Sequence, residues 1–157
     1  MKKIMIGLVA SLGIIGSIQA STLEQYINAG NSLWSEGKLS EAELQFNKAL
    51  EINPDSSTAY ARMANLYLTQ NKTTEAVEAF QNAISHDPEN ANLFIGLAIT
   101  YLHQRYYQMS EAMVNHAIEL DPEMANAQKL KAYLEAKKES VASIQKTESV
   151  NSAPVQH

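Results

Sequence analysis

The sequence predicts an all-α protein made of three consecutive helical hairpins, and two observations carry this prediction. The first is a spacing: three similar segments end at Pro54, Pro88 and Pro122, thirty-four residues apart each time, and they read SEAELQFNKALEINP, TEAVEAFQNAISHDP and SEAMVNHAIELDP. The second is a period, because apolar residues recur at i, i+3, i+4 and i+7 in the halves of the units, which is one face of an amphipathic helix. A single hairpin cannot bury such faces, whereas stacked neighbours can, so the pattern predicts a stacked helical array.

The three repeats span residues 23–56, 57–90 and 91–124, and each divides into a first and a second helix-length half. Small side chains at facing positions let the two helices of a hairpin approach closely, while larger residues fill the space between turns. Such small residues recur in the first halves at Gly30, Ala64 and Ala98, and in the second halves at Ala42, Ala76 and Ser110.

The turn inside each predicted hairpin contains one residue at a fixed place. Gly37 and Asn71 stand there in the first two repeats and suit a left-handed backbone conformation. Arg105 holds the same place in the third repeat, where its side chain makes that conformation less comfortable.

Polar residues mark several predicted helix starts. Ser56 and Asn90 come directly before a first helix and predict N-caps. Thr22 and Ser40 are followed three residues later by Gln or Glu, which predicts two capping boxes.

A thirty-four-residue helix–turn–helix unit with an aromatic residue, a small residue, Tyr or Leu, Ala, Phe, Ala and Pro in that order resembles the tetratricopeptide repeat (TPR). The resemblance covers residues 23–124 and implies a right-handed α-solenoid of three hairpins. In the third repeat Ser110 replaces Ala and Val114 replaces Phe, so we expect this repeat to pack less tightly and to depend on the segment that follows.

The segments that flank the repeats have different compositions. Residues 125–139 carry a modest apolar stripe opposite lysines and predict a C-terminal capping helix, so that the repeat domain spans residues 21–139. Residues 140–157 have little periodicity and predict a disordered tail. Residues 1–20 combine two early lysines, an apolar run and a small residue at Ala20, which is the pattern of a secretory signal peptide. An uncleaved membrane anchor is the alternative, although the apolar run falls short of the roughly 20 residues that cross a bilayer.

The absence of cysteine excludes disulfides and thiolate chemistry, and the short leader on such a chain favours a bacterial protein located in the periplasm or secreted. Residues 21–124 hold five Lys or Arg against fourteen Asp or Glu. An acidic body repels phosphate backbones, so nucleic acid is disfavoured, whereas a basic or peptide-like partner is favoured.

A search for catalytic chemistry gives no constellation with the required spacing. His86, His103 and His116 lie apart without a metal-ligand pattern, and the paired glutamates fall mostly on the solvated side of second helices. The sequence therefore predicts a protein that is not an enzyme and that has no cofactor and no metal site.

The TPR resemblance implies that first helices of successive repeats line a concave groove that holds a peptide or a helix. Asn31 and Asn65 recur at one repeat position and could bond a peptide backbone, while Trp34 could anchor a partner or pack against the next helix. The groove predicted on this basis comprises Ile27, Asn31, Trp34, Arg62, Asn65, Leu68, Ile95, Ile99, Leu102 and His103.

Some family members grip a partner's C-terminal carboxylates with a clamp of Lys, Asn and Arg side chains. Of the five clamp positions carried over to this sequence, only Asn31 matches, which disfavours that specialisation.

We therefore expect a non-catalytic protein–protein interaction module of the bacterial cell envelope, serving as an adaptor or assembly factor for another envelope or secreted protein. A self-assembling structural protein is the alternative, and a periplasmic holdase chaperone has less support. Membrane contact is expected only if the leader is retained.

Overall fold

The structure is a computed structural model that describes the backbone of residues 4–151 and the side chains of residues 20–140 of the 157-residue chain. Within this range every regular element is a helix, which confirms the predicted all-α fold class. The helices are α1 (Ile4–Ser35), α2 (Leu39–Ile52), α3 (Ser57–Thr69), α4 (Thr73–His86), α5 (Ala91–His103), α6 (Tyr107–Leu120) and α7 (Ala125–Asn151). The chain divides into two units, Met1–Glu89 and Asn90–His157.

The first unit contains two hairpins, in which α1 packs against α2 and α3 packs against α4. The hairpins join because α2 also packs against α3, and α1 contacts α3 directly. Phe46 and Phe80 are fully buried at equivalent places of the second helices, among small residues that include Ala42, Ala49 and Ala76. Large rings surrounded by small side chains fill the interior of each hairpin, as the repeat pattern predicts.

Gly30 permits an unusually close approach between α1 and α2. A Cβ placed on Gly30 would stand 2.7 Å from Cδ1 and 2.9 Å from Cζ of the Phe46 ring, and closer still to Cε1. Gly30 is itself buried. The glycine is therefore required by packing, not by backbone conformation.

The three intra-hairpin turns share one geometry. Gly37, Asn71 and Arg105 have φ values of 77°, 58° and 63°, so each adopts the left-handed conformation. The next residue in each turn then donates its N–H at 2.9 Å to a carbonyl five residues earlier, which closes the end of the first helix. The predicted left-handed conformation is confirmed at all three turns, and the lower stability expected for Arg105 at this position stays a prediction.

The helix starts agree with the sequence at two of four places. The Ser56 hydroxyl accepts from the Ala59 N–H at 3.2 Å, and the Asn90 side chain accepts from the Asn92 N–H at 3.2 Å, which confirms both N-caps. The two capping boxes are wrong. Thr22 lies inside the continuous α1, and α2 begins at Leu39, before Ser40, because the left-handed turn residue sets where the second helix starts.

In the second unit α5 packs against α6 and α6 packs against α7. Ser110 is fully buried where the other repeats have Ala, and its hydroxyl donates to the carbonyl oxygen of Ala98 at 2.8 Å. This bond satisfies the extra polar group without disturbing the close helix contact. Leu134 of α7 is buried, and Lys138 of α7 forms an ion pair with Glu111 of α6. The third repeat is thus covered by the segment that follows it.

The last helix extends beyond its predicted end at residue 139. Residues 140–151 continue α7 to Asn151, whereas the sequence pattern predicted a disordered tail from residue 140. The reason is that no Gly or Pro interrupts the chain before Pro154, so nothing in this stretch stops a helix already formed. The remaining part of the predicted tail, 152–157, lies outside the described residues.

The first helix runs from Ile4 through the predicted cleavage point after Ala20 without interruption. Cleavage after Ala20 stays a prediction. None of the helices in the described part of the chain combines the length and the apolar character needed to span a membrane.

Candidate peptide-binding site

The first helices of the first two repeats carry the predicted groove positions in the first unit. Asn31 and Asn65 are equivalent positions in α1 and α3, as are Trp34 and Leu68, and all four are half-buried. Arg62 of α3 is exposed and adds one positive charge. Because α1 contacts α3, these side chains belong to two neighbouring helices and remain accessible to a partner.

Ile27 is placed differently from the prediction. It is buried to 9 % exposure and clusters with Ala49 of α2 and Ala59 of α3, with Leu23 and Leu50 packed around them. Its side chain lies in the core that joins the first two repeats, where a partner cannot reach it. The cause is that α2 and α3 cover the side of α1 on which Ile27 stands.

The amide of Asn65 is partly engaged within its own helix. Its Nδ2 donates to the carbonyl oxygen of Ala61 at 2.8 Å. The Oδ1 acceptor and the second N–H of the amide are left for an incoming peptide. Asn82 of α4 makes the same kind of bond, to the carbonyl oxygen of Glu78 at 3.0 Å.

The four predicted groove residues of the second unit all lie on α5. Ile95 is buried to 5 % exposure, so it is an interior residue like Ile27. Ile99 is 37 % exposed, Leu102 is half-buried and His103 is exposed in the last turn of the helix. Of the four, Ile99 and His103 present the most accessible surface.

A feature that the sequence interpretation missed is a cleft of about 250 Å³ between α2, α3 and α4, which we call the α2–α4 cleft. Its floor is aromatic and apolar, and its rim is acidic and amide-bearing. The lining residues are Asn47, Leu50, Tyr60, Met63, Tyr67, Glu75, Glu78, Ala79 and Asn82. The signal in the sequence is Tyr60 and Tyr67, which stand seven residues apart in the i, i+3, i+4, i+7 apolar period of the second repeat, a period that predicts a buried face for both.

Tyr67 connects this cleft to neighbouring charges. Its hydroxyl donates to Oε1 of Glu43 at 3.2 Å, and Nζ of Lys72 lies 5.5 Å from the centre of its ring and 3.9 Å from Oε2 of Glu43. Burial first, and then the carboxylates of Glu43 and Glu75, raise the pKa of the Tyr67 hydroxyl from 10.0 to about 12. The phenol is held in its protonated form by a locally negative environment.

Tyr60, the second tyrosine of the cleft, packs against the ring of His86. The His86 ring stacks on it with 5.7 Å between centroids and 9° between planes, and Nδ1 of His86 lies 3.7 Å from Oδ1 of Asp55. Stacking from one side fixes the ring orientation, so the cleft has a defined wall.

The described residues contain no group of three or more His, Asp or Glu side chains that could hold a metal ion. The side chains of the predicted groove and of the α2–α4 cleft supply amides, aromatic rings, carboxylates and one guanidinium.

Helical hairpins that repeat along the chain, each with a left-handed residue at the same place of its turn, define a helical-repeat protein. The sequence model of the tetratricopeptide repeat matches residues 33–80 and 68–134. The chain belongs to the tetratricopeptide repeat family, which is in general a family of non-catalytic interaction repeats. No curated protein matches the chain significantly.

Several solved structures share the fold. The TPR domain of Arabidopsis OM64 aligns with a TM-score of 0.70 at 18 % identity, over 76 % of this chain and 98 % of that chain. The first TPR of Spaghetti (RPAP3), solved with the bound HSP90 peptide SRMEEVD, aligns with a TM-score of 0.70 at 14 % identity, over 74 % of this chain and 93 % of that chain. YrrB, described as a TPR protein with an unusual peptide-binding site, aligns with a TM-score of 0.63 at 27 % identity, over 72 % of this chain and 58 % of that chain. Together with the family match, these peptide-binding neighbours support a protein–protein interaction module.

Proposed function

We propose that this protein is an adaptor or assembly factor of the bacterial cell envelope, which holds a peptide or helix of a partner protein along its first helices. The observation that carries the proposal is the direct contact between α1 and α3, which puts the equivalent residues Asn31 and Asn65 on neighbouring helices while their side chains stay partly accessible. Two amides repeated in this way suit the repeating donors and acceptors of a peptide backbone.

The other side chains of this surface fit a peptide that has both apolar and polar side chains. Trp34 and Leu68 offer apolar area beside the amides, and Arg62 offers a charge-assisted hydrogen bond to a carboxylate or carbonyl group. The absence of a clamp of several basic residues argues for an internal peptide segment over a C-terminal carboxylate as the ligand.

The proposed compartment rests on the leader pattern of residues 1–20, and the proposed lack of catalysis rests on the sequence, in which no reactive residues have the spacing of a catalytic motif. One neighbour, RPAP3, was solved with a bound peptide, and another, YrrB, is described as having an unusual peptide-binding site; both support recognition of a peptide by this chain.

The test is affinity capture from a native envelope extract with three baits: residues 21–157, the Asn31→Ala/Asn65→Ala variant, and Asn115→Ala. Asn115→Ala is the control, because it removes the same kind of side chain from α6, and Asn115 belongs to neither the predicted groove nor the α2–α4 cleft. A partner that is held by the parent and by Asn115→Ala, but lost by the double variant, supports the proposal. Equal capture by all three baits would contradict it.

Trp34 supplies a direct readout for the identified partner. It is the single tryptophan of the sequence and stands at the proposed surface, so its emission reports occupancy without a label. A titration that leaves Trp34 emission unchanged, at concentrations where the partner is bound, would place the contact elsewhere. Sedimentation that shows only concentration-dependent copies of the chain would favour the self-assembly alternative.

A further inference from the structure

We infer that the α2–α4 cleft is a second binding site, which accepts an arginine side chain of a protein or peptide partner. The cleft lies within the first unit and shares no lining residue with the predicted groove, so the inference does not rest on the proposed function. Its size, charge and aromatic floor each narrow the choice of ligand.

The size of the cleft fits one side chain. Its volume of about 250 Å³ lies below the range of roughly 300–1,000 Å³ that is usual for sites of drug-sized ligands. A cleft of this size on a helical surface therefore suits a single projecting residue better than a free metabolite.

The rim of the cleft has uncompensated negative charge. Glu75 and Glu78 are exposed residues three apart on α4, so their carboxylates share one face of the helix. Neither carboxylate has a basic partner within ion-pair distance among residues 20–140. Both are thus available to one incoming cation.

Two tyrosine rings, Tyr60 and Tyr67, line the cleft together with Leu50. One side of each ring already has a neighbour, because His86 stacks on Tyr60 and Lys72 lies over Tyr67. Lys72 already demonstrates how a cation is held in this environment, because its ammonium group lies 5.5 Å from the Tyr67 ring centre and near Glu43. The Tyr67 hydroxyl already donates to Glu43, so its ring is the part of Tyr67 that a further cation can contact.

Arginine is the side chain that uses all three features. Its planar guanidinium can bond two carboxylates while stacking on an aromatic ring, and it is more weakly hydrated than an ammonium group. A separate partner is favoured over a second copy of this chain, since residues 21–124 hold fourteen acidic against five basic residues and two such bodies repel each other.

The experiment is a titration of the full-length, ¹⁵N-labelled protein with acetyl-Ala-Arg-Ala-amide, followed by amide chemical shifts. The comparison peptide carries citrulline in place of arginine, which keeps the shape and removes the charge. We expect saturable chemical-shift changes around Tyr60, Tyr67 and Glu78, with a dissociation constant in the millimolar range. The citrulline peptide should bind at least about five-fold more weakly than the arginine peptide.

Two charge variants separate a built site from general attraction. Glu75→Gln/Glu78→Gln removes the rim charges and should weaken arginine binding by about five-fold or more. Glu36→Gln/Glu41→Gln also removes two negative charges, but from residues that do not line the cleft, and it should leave the affinity for the arginine peptide unchanged. Both pairs are exposed, and a melting curve of each variant verifies that it is folded.

Three outcomes would overturn the inference. Equal weakening by both charge variants would mean nonspecific attraction to an acidic surface. Equal binding of the citrulline peptide would show that the positive charge of the guanidinium group does not contribute to binding. Cleft shifts that depend on protein concentration without peptide would identify a second copy as the occupant. A change of Trp34 emission on peptide addition would instead report the predicted groove, so failure of this inference and failure of the proposed function are distinguishable.

Discussion

Replacement of Gly30 by Ala should destabilise the protein, although it places a better helix former inside α1. The helix-propensity gain of Gly→Ala is about 0.5–1 kcal/mol. Against it stands the contact of the new Cβ, which would lie 2.7 Å from Cδ1 of Phe46. The Phe46 ring is 0 % exposed and has no solvent to move into, so overpacking costs about 1–3 kcal/mol. The difference between these two ranges is about 0–2.5 kcal/mol, and from its midpoint we expect a net loss of about 1 kcal/mol in the free energy of unfolding.

Urea denaturation followed by circular dichroism measures this change, and a double-mutant cycle tests its cause. Phe46→Leu removes ring atoms next to Gly30, so Gly30→Ala should cost clearly less in the Phe46→Leu background than alone. Ala64 and Phe80 hold the same two places in the second repeat, and a small shift of α1 toward that spacing would relieve the contact. A Gly30→Ala variant that is more stable than the parent would show that this relaxation occurs and would refute the reasoning.

Three further predictions concern single contacts. Ser110→Ala should lower the free energy of unfolding by about 1 kcal/mol, because the Ala98 carbonyl loses a hydrogen-bond donor in a buried site. The denaturant midpoint measures this loss, and an unchanged midpoint would show that the bond contributes nothing. Arg105→Gly should raise stability by about 0.5–1 kcal/mol, since it relieves the left-handed strain at φ 63°, and a lower melting temperature would contradict this. The folded-state pKa of Tyr67 is raised to about 12, so its contribution to stability is present below pH 10 and is lost as the pH rises from 10 through about 12. The parent should therefore lose more stability over that window than Tyr67→Phe does, and parallel curves would refute the raised pKa.

The sequence predicts the fold well wherever one residue decides local geometry. Positive φ values at Gly37, Asn71 and Arg105 follow from their fixed place in the repeat, and the caps at Ser56 and Asn90 follow from side chains that bond nearby N–H groups. These are interactions within a few residues of chain. A thirty-four-residue period places them without knowledge of any distant contact.

Prediction fails where a residue's role depends on what lies across from it. Ile27 stands at a position that the TPR resemblance assigned to the groove, but α2 and α3 cover it here, and only the packed structure shows this. Tyr60 and Tyr67 match core positions of the pattern, yet both are half-buried and border a cleft, because tyrosine is long enough to reach the edge of the core. The end of α7 differs from the prediction for a different reason: a polar composition without periodicity is compatible with a continued helix as well as with a disordered tail.

The predicted groove and the α2–α4 cleft can bind ligands independently, because they involve different sides of α3. An α-helix turns about 100° per residue, so Tyr60 and Arg62 lie about 160° apart around the axis, as do Asn65 and Tyr67. The groove side of α3 is therefore nearly opposite the cleft side, and fully buried residues separate the two sides on both flanks of the helix, Ala59 and Leu66 on one flank and Ala64 on the other. A ligand on one side needs no rearrangement of the other. Loss of binding by Asn31→Ala/Asn65→Ala and loss of binding by Glu75→Gln/Glu78→Gln consequently report two separate sites, and a partner that is sensitive to both must contact both faces of this hairpin.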